Sequence, residues 1–139
     1  CDVQKSGGQE EVVFFFDPAA HTNGDTEVML VNGNEDKAVS LGFNKKQLPY
    51  FALWKSRLPA EDGYVIGMEP TLNFPNTTGF EHQQGRTVPL SPGESRKFQL
   101  SFSFLQNKDE VTFAEQRINE LHATAKAKVF DSPRPEWSE

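Results

Sequence analysis

The chain has 139 residues, a formal net charge of −6 and twelve phenylalanines. This length suits one domain, and the Phe content requires a buried interior. The acidic balance argues against nucleic acid or an anionic membrane as a partner, and no apolar run approaches the roughly 18 residues of a membrane span.

Five strands are predicted in the first half of the chain. The patterns are short apolar or alternating runs, and turn signals such as Asn23-Gly24-Asp25 separate some of them. The predicted strands are Val12–Phe16, Thr26–Asn32, Val39–Asn44, Leu48–Lys55 and Tyr64–Glu69.

Two further strands are predicted at Arg86–Leu90 and Ser95–Leu105. In the second of these, four apolar side chains alternate with polar ones, a period that a helix could not bury on one face: Phe98, Leu100, Phe102 and Phe104. Seven strands without intervening helices indicate an all-β fold, an antiparallel β-sandwich.

One helix is predicted near residues 110–123. Thr112 and Glu115 have capping-box spacing, and apolar residues recur at steps of three and four, at Val111, Ala114, Ile118 and Leu121. Residues 126–139 show no periodicity and contain Pro133 and Pro135, so an extended or mobile tail is expected after a domain spanning residues 1–125.

Glu69 is the strongest candidate for chemistry. It is predicted at the end of an apolar strand, where an irregular loop rich in Pro and Asn begins. Apolar strand neighbours would leave the carboxylate partly desolvated, and a strand end fixes its position while the loop admits substrate. The alternative is a structural carboxylate that accepts hydrogen bonds at a strand end.

Two segments carry a resemblance to a known family. They are Gly-Met-Glu-Pro-Thr-Leu-Asn-Phe-Pro-Asn at residues 67–76 and the Pro-Gly-Glu turn at residues 92–94. Their order and spacing resemble the C-terminal region of the aldose 1-epimerases, the galactose mutarotase-like family. The resemblance extends over approximately Glu11 to Leu121.

The resemblance implies a function and a role for Glu69. In that family the matching Glu is a general base that deprotonates the anomeric hydroxyl of a cyclic sugar, and a histidine acid protonates the ring oxygen. Ring opening, rotation and reclosure then interconvert the anomers. None of His21, His82 and His122 stands in the family's histidine pattern. The acid is therefore expected in an N-terminal portion absent from this chain, which begins with Cys1 rather than Met.

Six residues are candidates for substrate binding: Trp54, Lys55, Asn73, Asn76, His82 and Arg86. Aromatic faces bind pyranose rings, and cationic or amide groups bind hydroxyls. The alternatives are a core Trp, a surface Lys, turn-forming Asn residues, a solvated His and a structural ion pair of Arg86. Pro75-Asn76 replaces the family's Pro-Asp, so the sugar cannot be inferred from galactose.

No metal and no cofactor are predicted, because phosphate loops and metal-ligand spacings are absent from the sequence. The single cysteine leaves the compartment open and is compatible with the cytoplasm. A small-molecule sugar is the expected ligand. Part of a sandwich would expose an apolar face and sheet edges, so a homodimer or association with a missing N-terminal portion is expected. The rival interpretations are a non-catalytic carbohydrate-binding module and a purely structural sandwich.

Overall fold

The computed structural model describes residues 11–56, 58, 61, 63–123, 125 and 127–139. Six strands and two helices occur in this part of the chain. They are β1 (Val12–Phe16), β2 (Asp25–Val31), β3 (Ala38–Asn44), β4 (Tyr50–Lys55), β5 (Ile66–Thr71), α1 (Thr78–Gln83), β6 (Leu100–Leu105) and α2 (Lys108–Ala123). Neither helix is long and apolar enough to cross a membrane.

The strands form two antiparallel sheets of three strands each. The first sheet has the order β1-β4-β5 and the second has the order β2-β3-β6. The predicted all-β antiparallel sandwich with a C-terminal helix is confirmed.

The inner faces of the two sheets share one apolar core. Leu41 and Phe43 of β3 belong to the same cluster as Phe51 of β4, and all three are at most 5% exposed. The rings of Phe43 and Phe51 stack with centroids 6.3 Å apart. Leu53 and Met68 of the first sheet also pack on this cluster. Side chains alternate between the two faces of a strand. The residues of β4 and β5 that alternate with these core residues therefore lie on the outer face of the first sheet.

Helix α2 contacts β2 and buries Val111, Ala114 and Leu121, as the predicted apolar stripe required. Its start differs from the prediction. The Asn107 side chain accepts a hydrogen bond from the Glu110 amide, and the Glu110 carboxylate accepts one from the Gln106 amide. This reciprocal cap lies before the predicted pair, Thr112 and Glu115, which are inside the helix.

Two predicted strands are absent or shortened. Residues 86–90 form no strand, and the predicted strand at 95–105 pairs only from Leu100 onward. Residues 95–99 cannot pair with β3, because β3 ends at Asn44 and its residue Phe43 is already opposite Leu100. The short helix α1, which was not predicted, follows Thr77 as its cap.

The alternating side chains of β6 remain open to solvent. Leu100, Phe102 and Phe104 are 42%, 59% and 71% exposed, although they lie on the same side of the sheet as Leu41 and Phe43. β6 is also an edge strand in the described sheet. The expectation of an uncovered apolar face is met at this edge.

Candidate functional site

The outer face of the first sheet brings Glu69 and Trp54 together. Residues paired across antiparallel strands project to the same face. Trp54 pairs with Gly67 and Ala52 pairs with Glu69, so these four residues share the outer face. Trp54 is half-buried and Glu69 is exposed.

The Glu69 carboxylate lies in space that is free because residue 67 is a glycine. A Cβ atom built on Gly67 would lie 2.5 Å from Glu69 Oε1 and 3.4 Å from Trp54 Cβ. The carboxylate therefore lies over the bare backbone of Gly67, beside the Trp54 side chain. An aromatic side chain next to an accessible carboxylate can hold the apolar face of a sugar ring and accept a hydroxyl proton.

The position of Glu69 departs from the prediction in two respects. β5 continues through Pro70 to Thr71, so Glu69 lies inside the strand rather than at its end. Pro70 is tolerated there because β5 is an edge strand and needs no second row of donors. The carboxylate is also exposed rather than partly desolvated, since it projects from the outer face.

An aromatic cluster lies on the same side of the sheet. Phe74, which is 1% exposed, stacks on Phe15 with ring centroids 4.5 Å apart. Tyr50 and Trp137 pack on Phe74 at 4.7 Å and 5.0 Å. Phe15 is opposite Ala52 in the ladder, and Ala52 is opposite Glu69. The cluster therefore lies on the same face as the candidate carboxylate, over the neighbouring strands β1 and β4.

Glu81 and Arg86 form a buried ion pair behind the loop that follows β5. Their side chains are 0% and 8% exposed, and Arg86 Nε and Nη2 donate to the Glu81 carboxylate at 2.6 Å and 2.7 Å. The same carboxylate accepts hydrogen bonds from the Phe74 amide at 3.2 Å and from Asn76 Nδ2 at 2.7 Å. Four donors thus satisfy a fully buried charge.

This environment shifts both pKa values. The hydrogen bonds from Arg86 lower the pKa of Glu81 and outweigh the effect of burial, with further contributions from Asn76 and the Phe74 amide. The hydrogen bonds to Glu81 raise the pKa of Arg86. Both groups therefore remain charged.

Arg86 and Asn76 are both committed to internal contacts. Arg86 Nη1 donates to the Glu136 carbonyl at 2.6 Å, so all three donor nitrogens of its guanidinium have partners in the protein. Asn76 Nδ2 also donates to the Trp137 carbonyl, and Asn76 Oδ1 accepts from the Glu139 amide. Arg86 forms the structural ion pair that the sequence left open as an alternative.

The other candidates lie in different places. Lys55 is next to Trp54 in the strand and therefore points to the opposite face of the sheet. Asn73 lies in the loop directly after β5, and its carbonyl accepts a hydrogen bond from Thr71 Oγ1 at 2.6 Å. In the described part of the chain, the Asn73 side-chain amide has no hydrogen-bond partner.

Among the described residues, none of the three histidines is hydrogen-bonded to Glu69. His82 is exposed on α1, and its Nδ1 is hydrogen-bonded to Thr87 Oγ1 at 3.0 Å. His122 belongs to α2, which packs against the second sheet, and His21 lines a cavity at that sheet.

A polar cavity of about 320 Å³ lies between α2 and the second sheet. Its wall contains the ion pair of Glu27 and Arg117, with Nη2 to Oε1 at 2.9 Å, and the hydroxyl of Ser40 donates to Glu27. Burial acts to raise the pKa of Glu27, but the hydrogen bonds from Arg117 and Ser40 outweigh it and lower that pKa. Among the described residues no group of three or more His, Cys, Asp or Glu could hold a metal.

Sequence reasoning missed two residues of this region. No role was predicted for Glu81, and Trp137 lies in the segment 126–139 that was expected to be an extended or mobile tail. The Glu81–Arg86 spacing was the available signal for the ion pair. The contacts of Trp137 with Phe74 join residues more than 60 positions apart, and no local pattern predicts them.

Comparison with known proteins defines the class of fold. Over 90% of its length the chain superposes on the crystal structure of a "putative aldose 1-epimerase" from Klebsiella pneumoniae subsp. pneumoniae MGH 78578, with a TM-score of 0.79 and 34% sequence identity. The fold is thus of the aldose 1-epimerase type, as the resemblance implied. This chain covers 32% of that protein, which fits a C-terminal portion.

The profile of one family matches residues 3–104, and its description is "Domain of unknown function (DUF4432)". The chain belongs to the DUF4432 family. A comparison with proteins of curated function found no match.

Proposed function

We propose that this chain contributes the base half of an aldose 1-epimerase-like site, with a free sugar bound on the outer face of the first sheet. The observation that carries the proposal is the placement of the Glu69 carboxylate over Gly67 and beside Trp54. The similarity to a protein described as an aldose 1-epimerase supports the choice of a sugar as ligand.

In the proposed reaction Glu69 takes the proton of the anomeric hydroxyl. The oxygen then forms a carbonyl with the anomeric carbon, and the bond from that carbon to the ring oxygen breaks. The ring oxygen takes up a proton, which water supplies where no protein acid is present. After rotation about the adjacent carbon–carbon bond, the ring hydroxyl attacks the carbonyl carbon and loses its proton. Glu69 returns its proton to the anomeric oxygen, which gives the other anomer and restores the carboxylate.

Trp54 and Asn73 are the proposed substrate contacts. The indole of Trp54 offers an apolar face to the ring. The Asn73 amide, which has no hydrogen-bond partner among the described residues, can donate to and accept from hydroxyls. Four other candidates are not proposed as substrate contacts: Lys55, Asn76, His82 and Arg86. Lys55 projects from the other face, and the other three have hydrogen-bond partners within the protein.

A second candidate function is a non-catalytic sugar-binding module. In the described part of the chain no histidine is hydrogen-bonded to Glu69, and a binding module, unlike an enzyme, needs no such acid. In that case Glu69 accepts hydrogen bonds from sugar hydroxyls and transfers no proton.

Anomer exchange followed by ¹H NMR distinguishes the two. With pure α-glucose or α-galactose, the epimerase proposal expects interconversion faster than in buffer, with the gain lost in Glu69→Gln while the sugar still binds. Binding without acceleration by the wild-type chain would favour the module, and absence of binding would contradict both.

The exposed apolar row of β6 is the proposed site of association with the remaining part of an aldose 1-epimerase-type fold. Leu100, Phe102 and Phe104 continue the inner face of the second sheet beyond the region that the first sheet covers. The related structure has about two thirds of its length outside the region matched by this chain. We propose that the part of the fold corresponding to this unmatched length packs on the β6 row, and the fold comparison supports this choice.

A further inference from the structure

The last six residues of the chain, 134–139, are bound to the loop that follows the Glu69 strand. This C-terminal segment makes a turn in which the Trp137 and Ser138 amides donate to the Arg134 carbonyl at 2.9 Å and 3.0 Å. The Arg134 guanidinium lies over the Trp137 ring, 5.3 Å from its centroid. The segment therefore has internal contacts of its own, in addition to those it makes with the rest of the chain.

Two side chains join the C-terminal segment to the loop at residues 72–77, called here the Asn73 loop. Asn76 donates to the Trp137 carbonyl at 2.9 Å and to Glu81 at 2.7 Å. Arg86 donates to the Glu136 carbonyl and to Glu81. Each residue thus bonds to the segment and to the buried carboxylate that also binds the Phe74 amide.

Aromatic packing completes the connection. Trp137 packs on Phe74, with ring centroids 5.0 Å apart, and Phe74 also stacks on Phe15 of β1. The Arg86 guanidinium lies 5.3 Å from the centroid of the same ring. Phe74 is 1% exposed, and Asn73 directly precedes it, so the conformation of Asn73 depends on how Phe74 is held.

We propose that the C-terminal segment is a positioning element of the sugar site, which acts through Arg86 and Asn76 to fix the Asn73 loop beside Glu69. This inference rests on the proposed function and adds residues that touch no substrate. Arg86 is in this account a positioning residue, and the segment of residues 134–139 sets the affinity for the sugar.

The test removes residues 134–139 and, separately, replaces Arg86 by Met. Glucose and galactose affinities are measured by saturation-transfer NMR, and the Asn73 and Phe74 amides are followed in ¹⁵N spectra. We expect both variants to weaken sugar binding about tenfold or more, since one lost hydrogen bond to a charged group corresponds to such a factor. We also expect the two amide signals to shift or broaden.

The matched control is Arg117→Met. It breaks the Arg–Glu pair at the second sheet, Arg117 with Glu27, and should leave the sugar affinity unchanged. A synthetic peptide of residues 130–139 added to the truncated chain should restore both the affinity and the amide signals. Rescue separates a positioning role from a general loss of stability.

Unchanged sugar affinity after truncation would overturn the proposal and leave the proposed function standing. If the wild-type chain binds no sugar, the proposed function fails, and the amide signals then decide whether the segment positions the loop. Asn73 and Phe74 signals that do not respond to truncation would overturn the positioning role in either case.

Discussion

At the scale of single residues, Gly67 decides where the Glu69 carboxylate can lie. The carboxylate oxygen occupies the space that a side chain at position 67 would need. Because the blocking atom is the end of a flexible side chain, a methyl group there would move the carboxylate rather than break the strand. Gly67 therefore controls the position of the proposed base.

Gly67→Ala is expected to reduce anomer exchange by about 100-fold, the order that a misplacement of roughly 1 Å produces, with little effect on the fold. NMR exchange rates and thermal unfolding measure the two effects. Gly79→Ala is the control, since no atom lies within 4 Å of a Cβ at Gly79 and its exchange rate should not change. An equal rate in wild type and Gly67→Ala would contradict this role.

The roles of residues were predictable where a short sequence motif indicated them. The Gly-Met-Glu-Pro motif singled out Glu69, and the structure places Trp54 next to it. Trp54 and Lys55 were both candidates, but they cannot contact one ligand from the same face of the sheet, because consecutive strand residues face opposite sides. The ion pair of Arg86 with Glu81 had a local signal, but the bonds of Asn76 and Arg86 to the Trp137 and Glu136 carbonyls were not predictable, since these partners lie at the far end of the chain.

At the scale of elements, the unit formed by the Asn73 loop and α1 depends on the Glu81 charge. The hydrogen bonds from Arg86 lower the pKa of Glu81 below its ordinary value of 4.5. A carboxyl with a lowered pKa in the folded state contributes stability above the unfolded pKa, and that contribution disappears as the pH falls through the folded pKa. This unit should therefore weaken in acid.

The free energy of unfolding should fall with pH below about 4.5, and Glu81→Gln should remove part of that dependence. At neutral pH the variant should be less stable by about 3–5 kcal/mol, because Arg86 keeps a buried charge without its partner. Urea denaturation between pH 3 and pH 7 measures both. Glu120→Gln, at an exposed position of α2, is the control, and an equal pH dependence in wild type and Glu81→Gln would contradict the assignment.

The cap of α2 gives a second prediction for an element. Asn107→Ala should destabilise the protein by about 1 kcal/mol, since it removes the acceptor for the Glu110 amide. Thr112→Ala, at the position that the sequence pattern had suggested as the cap, should change stability by less than about 0.5 kcal/mol. Denaturant midpoints measure both changes, and the reverse order of effects would contradict the observed start of the helix.

Elements were predictable in type more than in extent. Periodicity identified five of the six strands closely, and it identified the buried stripe of α2. It overestimated the last strand because an alternating run can continue past the end of its partner, as residues 95–99 do beyond β3. It missed α1, which has only six residues and no apolar period of its own.

At the scale of the whole molecule, the second sheet ends in an apolar row that nothing covers in the described structure. The double variant Phe102→Ser and Phe104→Ser should reduce association and dye binding by the isolated chain, while the fold remains, because both side chains are already more than half exposed. Light scattering and dye fluorescence measure this. Phe113→Ser, on the exposed side of α2, is the control.

A well-defined dimer of the wild-type chain that the double variant dissociates would favour a second copy as the occupant of this row. A monomer whose dye binding is lost in the variant would support a complementary part of the fold. Unchanged behaviour of the variant would contradict any role of the row in association.

Glu69 is the proposed base, which removes a proton from a sugar bound against Trp54. The most direct measurement is the rate of α-to-β exchange of glucose and galactose, with the wild-type chain and with Glu69→Gln, together with their sugar affinities. We expect the wild-type chain to exchange the anomers faster than buffer, Glu69→Gln to lose that gain by about 100-fold, and the sugar affinity to be retained. Equal rates with and without the Glu69 carboxylate would contradict it.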